Sequence, residues 1–441
     1  MEEFDIAIIS SYHQDVLSAE WFFAMEAHNQ KCVIITPNPN EHHALSEQGV
    51  KSLYLKDYFP DAKPTRAKIE NYFLEKGVRD LVVYVSTEKS YYKQSNTHLF
   101  QYAYKYANAF DSLFASMRVR TIIHPVQGGE VVRRTASLIA NGRGINVIYL
   151  GETFIPGTVN LYSDEYRSVL KPIVDRELSE HTARAIVNDK VNRKVVISYE
   201  TEQRRFRGTP LPAKLYRLLR DGNWNIIRAY FARKKVISWD YLVREMYTRM
   251  FRVFSDFDGR EKYFYLPFNV DAESELFIRN YQFTDQVGVV EKLSVGLPPG
   301  HKLYVKVHPG KEGHLSIKSY RRLSKIKNVV ALKGSVNSFD VVSKCQGVVL
   351  ISSTVGLESY IMGKPTCVIG HWPYAVYGNF IRVKELGEVF RRIQSQPVPN
   401  DPVGFLQNLY KETVDGSLYA GADDFNTLVN SILNLTYLRN K

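Results

Sequence analysis

LISSTVGLESYIMGKPTCVIG, residues 350–370, decides how the second half of this chain is read. The preceding run from Gly347 to Ile351 is continuously apolar, as in a strand covered on both faces of a parallel sheet. Polar Ser352, Ser353 and Thr354 then break it, a helix is expected from near Val355, and Gly363, Lys364 and Pro365 announce a further strand over Pro365–Ile369. A helix starting there offers backbone N–H groups and the positive end of its dipole at a strand's carboxyl end. With three hydroxyls beside them, these groups suit a phosphate. The plainer alternative is that Thr354 only caps the helix. Glu358 lies four residues after Thr354, one too many for a capping box, so its carboxylate is expected to be free to reach a ligand such as ribose hydroxyls. Complementing the helix dipole is its other reading.

Working outward, strands are expected at Lys262–Val270, Lys302–Val307 and Val329–Leu332, giving a second α/β block. A first block opens the chain, with strands at Phe4–Ser10, Lys31–Thr36, Val78–Val85, Arg120–His124 and Asn146–Leu150. Helices at Val16–His28, His98–Met117 and Glu130–Asn141 alternate with them. Between the blocks, from about Val159 to Phe257, the pattern is helical and rich in Arg and Lys. Another helical stretch follows from about Pro402 to Asn440. The expected architecture is α/β: a Rossmann-like lobe over 1–158, a helical connector over 159–261, a second Rossmann-like lobe over 262–390 and a helical tail over 391–441. The two lobes are expected to face a central cleft, where ligands sit beyond the carboxyl ends of the strands.

The 441 residues are 44% hydrophobic and 24% charged, ordinary for a folded chain with a sizeable core. Fifty-eight Lys and Arg against 46 Asp and Glu leave +12, which favours an anionic partner. Three cysteines without a C-x-x-C spacing suggest neither a disulfide framework nor a zinc cluster, and a reducing cytoplasm fits them. The acidic start MEEFDIAIISSYHQD lacks the basic flank of a secretory signal, and no stretch of eighteen apolar residues is present.

Other residues sit where ligands would be met. In YVKVHPG, Tyr304–Gly310, Lys306 and His308 project to one face of a strand end and Pro309 with Gly310 turns the chain after them. A cation and an imidazole there suit a leaving phosphate; a structural His-Pro turn is the alternative. In the first block, Gln127, Gly128, Gly129 and Glu130 follow one strand and Glu152 follows the next. Either carboxylate could take an acceptor proton or attack an anomeric carbon, or serve only as dipole compensation or a turn residue. His13, after the first strand, is a further acceptor-side candidate of the same positional kind. The run Gln203–Lys235 holds ten Arg and Lys and one Asp among many aromatic and aliphatic residues. Such a face suits an anionic membrane surface or a lipid-linked acceptor, or simply solvent. No nucleic-acid module accompanies it, so nucleic acid is not expected as a partner.

Over roughly Lys262–Phe380 the successive motifs KYFYLPFNVDAES, YVKVHPG and SSTVGLESYIMGKPTCVIG, with Tyr374 after them, resemble the bacterial capsule polysaccharide biosynthesis and export family. GETFIPGT, Gly151–Thr158, is similar to that family's Glu-containing segment, though Thr153 is followed directly by Phe154 rather than by Gly. The resemblance implies a GT-B fold and a transferase of Kdo or a related ulosonic acid. It further implies a CMP-activated donor bound mainly by the second lobe, no obligatory metal, no cofactor beyond the donor, and a glycan or lipid-linked glycan acceptor on the first lobe. Ser352, Ser353, Thr354 and His308 would then bind phosphate, Glu358 the ribose, and Glu152 or Glu130 would act at the sugar. The protein is expected in the cytoplasm, peripheral to the inner face of the plasma membrane. Competing expectations are a CDP-glycerol or CDP-ribitol phosphotransferase, and a non-catalytic scaffold in envelope-glycan assembly.

Overall fold

The computed structural model describes the chain except residues 1, 11–14, 62, 89–94, 126–129, 173–174, 194–238, 271–273, 309–311, 396–399, 419–421 and 440–441. The chain divides into two compact units. The first comprises Met1–Ala183, Ala272–Tyr281 and Val403–Lys441; the second comprises Arg184–Asp271 and Gln282–Pro402. Both are α/β units built on parallel-dominated sheets, the pair expected from the alternating pattern.

In the first unit the strands are β1 (Glu2–Ile9), β2 (Cys32–Thr36), β3 (Ser52–Tyr54), β4 (Met117–His124), β5 (Asn146–Glu152) and β6 (Thr158–Tyr162). A seventh strand, Thr413–Asp415, comes from near the chain's end and pairs antiparallel with β6. The order from that strand is β6, β5, β4, β1, β2, β3, so connections reverse direction between β1 and β4. β1 to β5 run parallel, while β6 returns antiparallel to β5. Alternation along β1 explains the two covered faces. Ala7 and Ile9 join the core under α2 (Asn96–Ser116) and α3 (Val131–Gly142), while Ile6 and Ile8 join the core under α1 (Asp15–Ala27).

Two expectations change here. Val78–Val85 was expected as a strand but contains a helical turn, Leu81–Tyr84, because the Asp80 carboxylate accepts from Val82 N (2.8 Å) and Val83 N (3.1 Å) and caps it. Val159 lies in strand β6, not in a helical connector: 159–183 belongs to the first unit and 184–261 falls within the second. The expected helical tail is present, and its last helix, Ala422–Arg439, packs on the first unit. Phe425, Leu428, Val429 and Ile432 are buried in the same core as Ile6 and Ile8, and Phe425 meets Trp21 of α1 edge-on at 5.4 Å. The apolar stripe of this last helix needs the face it covers.

The second unit carries α4 (Trp239–Met250), β7 (Lys262–Pro267), α5 (Gln286–Val295), β8 (His301–Lys306), α6 (Ile317–Ser324), β9 (Val329–Leu332), α7 (Ser338–Lys344), β10 (Val348–Leu350), α8 (Val355–Ile361), β11 (Thr366–Val368) and β12 (Ile381–Arg382). All six strands are parallel, in the order β12, β11, β10, β7, β8, β9. The sequence runs one way from β7 to β9 and the other way from β10 to β12. The crevice of such a sheet therefore lies beyond the carboxyl ends of β7 and β10. α8 ends at Gly363, whose φ of +69° only glycine adopts without strain, and Lys364 N closes the end on Ser359 O at 2.9 Å. No described helix is long and apolar enough to cross a membrane.

Candidate functional site

The reversal between β7 and β10 gathers most of the second unit's candidate residues. Ser352, Ser353 and Thr354 leave β10, while Lys306 closes β8 and His308 follows it on the far side of β7. Asn269, two residues past the end of β7, ties these strand ends together. Its Nδ2 donates to the Ser352 carbonyl, and its backbone N and O form a two-way pair with the Gln286 side chain at 2.7 and 3.0 Å. Phe268 N donates to Lys306 O at 2.9 Å, so the β7 and β8 ends are joined as well.

The start of α8 departs from the expected open set of amides. Val355 N donates to Ser353 Oγ at 3.3 Å and Gly356 N to Ser353 O at 3.0 Å, so these two groups are engaged inside the turn. Thr354 is the N-cap residue by position, yet its side chain makes no cap hydrogen bond. Its hydroxyl is thus not consumed by the capping role that the sequence allowed. Gly356 is required by its neighbours: a Cβ would stand 2.7 Å from the Trp372 ring and 2.9 Å from Leu350 Cδ2. Tyr374 is buried with its ring 5.7 Å from that of Trp372, which brings it to the same end of α8.

Glu358 stands deeper than the spacing suggests. It is 5% exposed, so its carboxylate is enclosed within the unit. Tyr265 of β7 lies close enough that its phenol, already raised far above the usual range by burial, is raised further by the Glu358 charge. Lys306 is equally enclosed, with Nζ 3.5 Å from Ser338 Oγ at the start of α7. His308 is half-buried, and Pro309 and Gly310 lie outside the described residues. The second unit thus offers hydroxyls and an imidazole near its sheet end, above an enclosed layer containing Lys306, Glu358 and Tyr265.

In the first unit the expected residues are less concentrated. Glu130 occupies the N-cap position of α3 without a side-chain cap bond and pairs with Arg133 at 3.5 Å. The cap bond comes from Glu88, whose Oε1 accepts from Val131 N at 2.9 Å. Glu152 ends β5, opposite Val159 of β6. His13, Gln127, Gly128 and Gly129 lie outside the described residues, as does Gln203–Lys235. His124, at the end of β4, is fully buried, stacks on Tyr149 at 4.4 Å and shares a 2.8 Å hydrogen bond with Ser137. Burial, and then the Arg133 charge, hold its imidazole well below the ordinary histidine range, so it is neutral. A cavity of about 410 Å³ in this unit is lined by Tyr84, Arg134, Tyr149 and Glu165 among others and includes none of the expected site residues. Arg134 is anchored there by a two-pronged bond to Glu165 at 2.7 and 2.9 Å.

Asn269, Gln286, Tyr265 and Ser338 were missed by sequence reasoning, although Asn269 stands in the motif KYFYLPFNVDAES. A polar residue just past an apolar strand was the available signal; which strand ends become neighbours was not in the sequence.

The family model described as capsule polysaccharide biosynthesis protein matches residues 260–382, so the resemblance read from the motifs holds over that segment. None of the curated proteins matches the chain. Among solved structures, the chain is similar to the Thermosulfurimonas dismutans KpsC β-Kdo 2,7 transferase, at 14% identity over 98% of this chain and 99% of that one, with a TM-score of 0.36. The β-Kdo 2,4 transferase of the same organism's KpsC matches at 14% identity over 74% and 93%, with a TM-score of 0.38. A Methanocaldococcus jannaschii UDP-GlcNAc 2-epimerase matches at 12% identity over 97% and 99%, with a TM-score of 0.34.

Proposed function

We propose that the protein is a glycosyltransferase that moves a Kdo-type ulosonic acid from a CMP-activated donor to a glycan or lipid-linked glycan of the cell surface, in capsule or lipopolysaccharide biosynthesis. One observation carries the reading: the segment that matches the capsule family model contains the sheet reversal, the Ser352–Thr354 turn that follows β10 and the His308 that follows β8.

Cleavage of the donor's glycosidic bond leaves negative charge on the departing CMP phosphate while the sugar becomes oxocarbenium-like. Groups already oriented toward that charge lower the barrier because they need not reorganise as it develops. In this reading the Ser353 and Thr354 hydroxyls donate to phosphate oxygens and the His308 imidazole donates to the bridging oxygen. Lys306 contributes its charge from beneath rather than by direct contact, since its ammonium is enclosed. Glu358, also enclosed, orients the cytidine side through the layer it shares with Tyr265. Glu152 or Glu130 supplies the carboxylate at the sugar, and the first unit takes the acceptor. The reaction needs no metal in this scheme, and the protein works in the cytoplasm at the inner face of the membrane.

The test is calorimetry and turnover with CMP-, CDP- and UDP-linked donors. Binding of CMP and release of CMP plus a ketosugar are expected, with His308→Ala and Thr354→Val each lowering turnover by about 10²-fold. Absence of CMP binding, or unchanged turnover in both variants, refutes the assignment. Release of CMP together with glycerol phosphate would replace it by the phosphotransferase reading.

A further inference from the structure

Helix α4 presents an apolar stripe to solvent. Val243, Met246 and Met250, at i, i+3 and i+7, fall on one helical face, Met246 and Met250 being 69% and 72% exposed, and Phe251 follows at 57%. Four large apolar side chains side by side on a surface are a feature to be explained, unlike single exposed ones.

Its neighbour α6 supplies the second half of the pattern. Lys318 and Arg321, with Lys325 just past the helix end, repeat the same i, i+3, i+7 spacing; all three are exposed and none forms an ion pair among the described residues. The Arg321 guanidinium stands 5.9 Å from the Tyr247 ring of α4, and Arg244 Nη1 donates to His314 O at 3.2 Å, which fixes the two helices side by side. Tyr247 in turn stacks on Phe251 at 4.4 Å. Exposed Arg252 extends the positive border beyond α4, whereas Arg249 is partly neutralised by Glu245 at 2.5 Å.

We propose that this face of the second unit docks on an anionic lipid bilayer, with Met246, Met250 and Phe251 entering the acyl boundary and Lys318, Arg321 and Lys325 meeting headgroup phosphates. An apolar stripe bordered by exposed cations is what such an interface requires: burial of the stripe favours insertion, and each cation adds attraction to anionic headgroups. A soluble acidic partner would match the cations but leave the methionines unexplained. A second copy of this chain would bring Lys318, Arg321 and Lys325 against like charges. The inference does not depend on the chemistry proposed above.

Sedimentation of the full chain with phosphatidylcholine vesicles, with and without phosphatidylglycerol, tests it. Binding is expected only with phosphatidylglycerol, weakening with salt. Met246→Asp with Met250→Asp should abolish it, and each of Lys318→Ala, Arg321→Ala and Lys325→Ala should weaken it about five-fold. Because the three native cysteines are buried, Met246→Cys gives one exposed thiol for a polarity-sensitive dye, whose emission should shift to the blue on phosphatidylglycerol vesicles. Equal binding to both vesicle types, unchanged binding of the Asp pair, or a dye that stays in water would each overturn the proposal. So would binding to dextran sulfate with none to vesicles. CMP binding is measured on the same samples, so a failure here is separable from a failure of the transferase reading.

Discussion

Substitution of Asn269 tests the site most directly, because its side chain is the link between the ends of β7 and β10. Asn269→Ala removes the donor to the Ser352 carbonyl while leaving the backbone pair with Gln286 in place. Ser352 is buried, so loss of that donor should cost about 1–3 kcal/mol. For a unit of this size each kcal/mol lowers Tm by about 2–4 °C, which puts the expected fall at several degrees. The sharper comparison is Asn269→Asp. Aspartate has nearly the same shape but no N–H, and it would set a carboxylate oxygen against a carbonyl oxygen. It should therefore cost at least as much as alanine, and it should weaken CMP binding further by placing a negative charge beside Ser353 and Thr354. Differential scanning calorimetry and titration with CMP read both effects. If Asn269→Asp is as stable as the parent chain, Asn269 does not donate to Ser352, and the account of how this strand end is shaped is wrong.

Three further outcomes follow from the geometry. His124 is neutral in the fold with its imidazole held below the ordinary value of 6.5, so below pH 6.5 the unfolded chain takes a proton that the native chain refuses. Stability present above pH 6.5 should be lost on acidification at up to about 1.4 kcal/mol per pH unit, and His124→Gln should flatten that slope in pH-dependent melts. Gly356→Ala forces a methyl group against Trp372 and Leu350; about 1–3 kcal/mol of overpacking against about 1 kcal/mol of helix propensity should leave a net loss, read by denaturant unfolding. Cys32, Cys345 and Cys367 are all buried, and burial pushes the Cys345 thiol up to about 12, so a thiol reagent at neutral pH should modify none of them until the chain unfolds.

The second unit was the more legible in sequence. Its strands are short apolar runs ended by Pro, Gly or Ser, and a buried parallel strand admits little else. The first unit misled where local chemistry opposed composition. LVVYV at 81–85 has the β-branched content of a strand, but Asp80 captures two amides and winds it into a turn. TVNLY at 158–162 returns antiparallel to the neighbouring β5, and only its other edge is covered by Thr413–Asp415, some 250 residues away, a pairing that leaves no local mark. At the site, Ser352–Thr354 and His308 could be proposed because each follows an apolar run. That they follow strands of one sheet at the same edge depends on β7 lying between β10 and β8, which pattern alone does not reveal. Counting from Thr354 excludes a capping box for Glu358, but its enclosure beside Tyr265 comes from the fold, which local spacing does not encode.

The first unit's sheet takes its last strand and one of its covering helices from Val403–Lys441. During synthesis Ile6, Ile8, Ile34 and Leu150 therefore emerge long before the residues that will cover them, while every residue of the second unit has already left the ribosome. Even a modest truncation at the carboxyl end would strip Phe425, Leu428 and Ile432 from that sheet and leave a greasy plane open to aggregation. An affinity handle there sits on a segment that completes the fold.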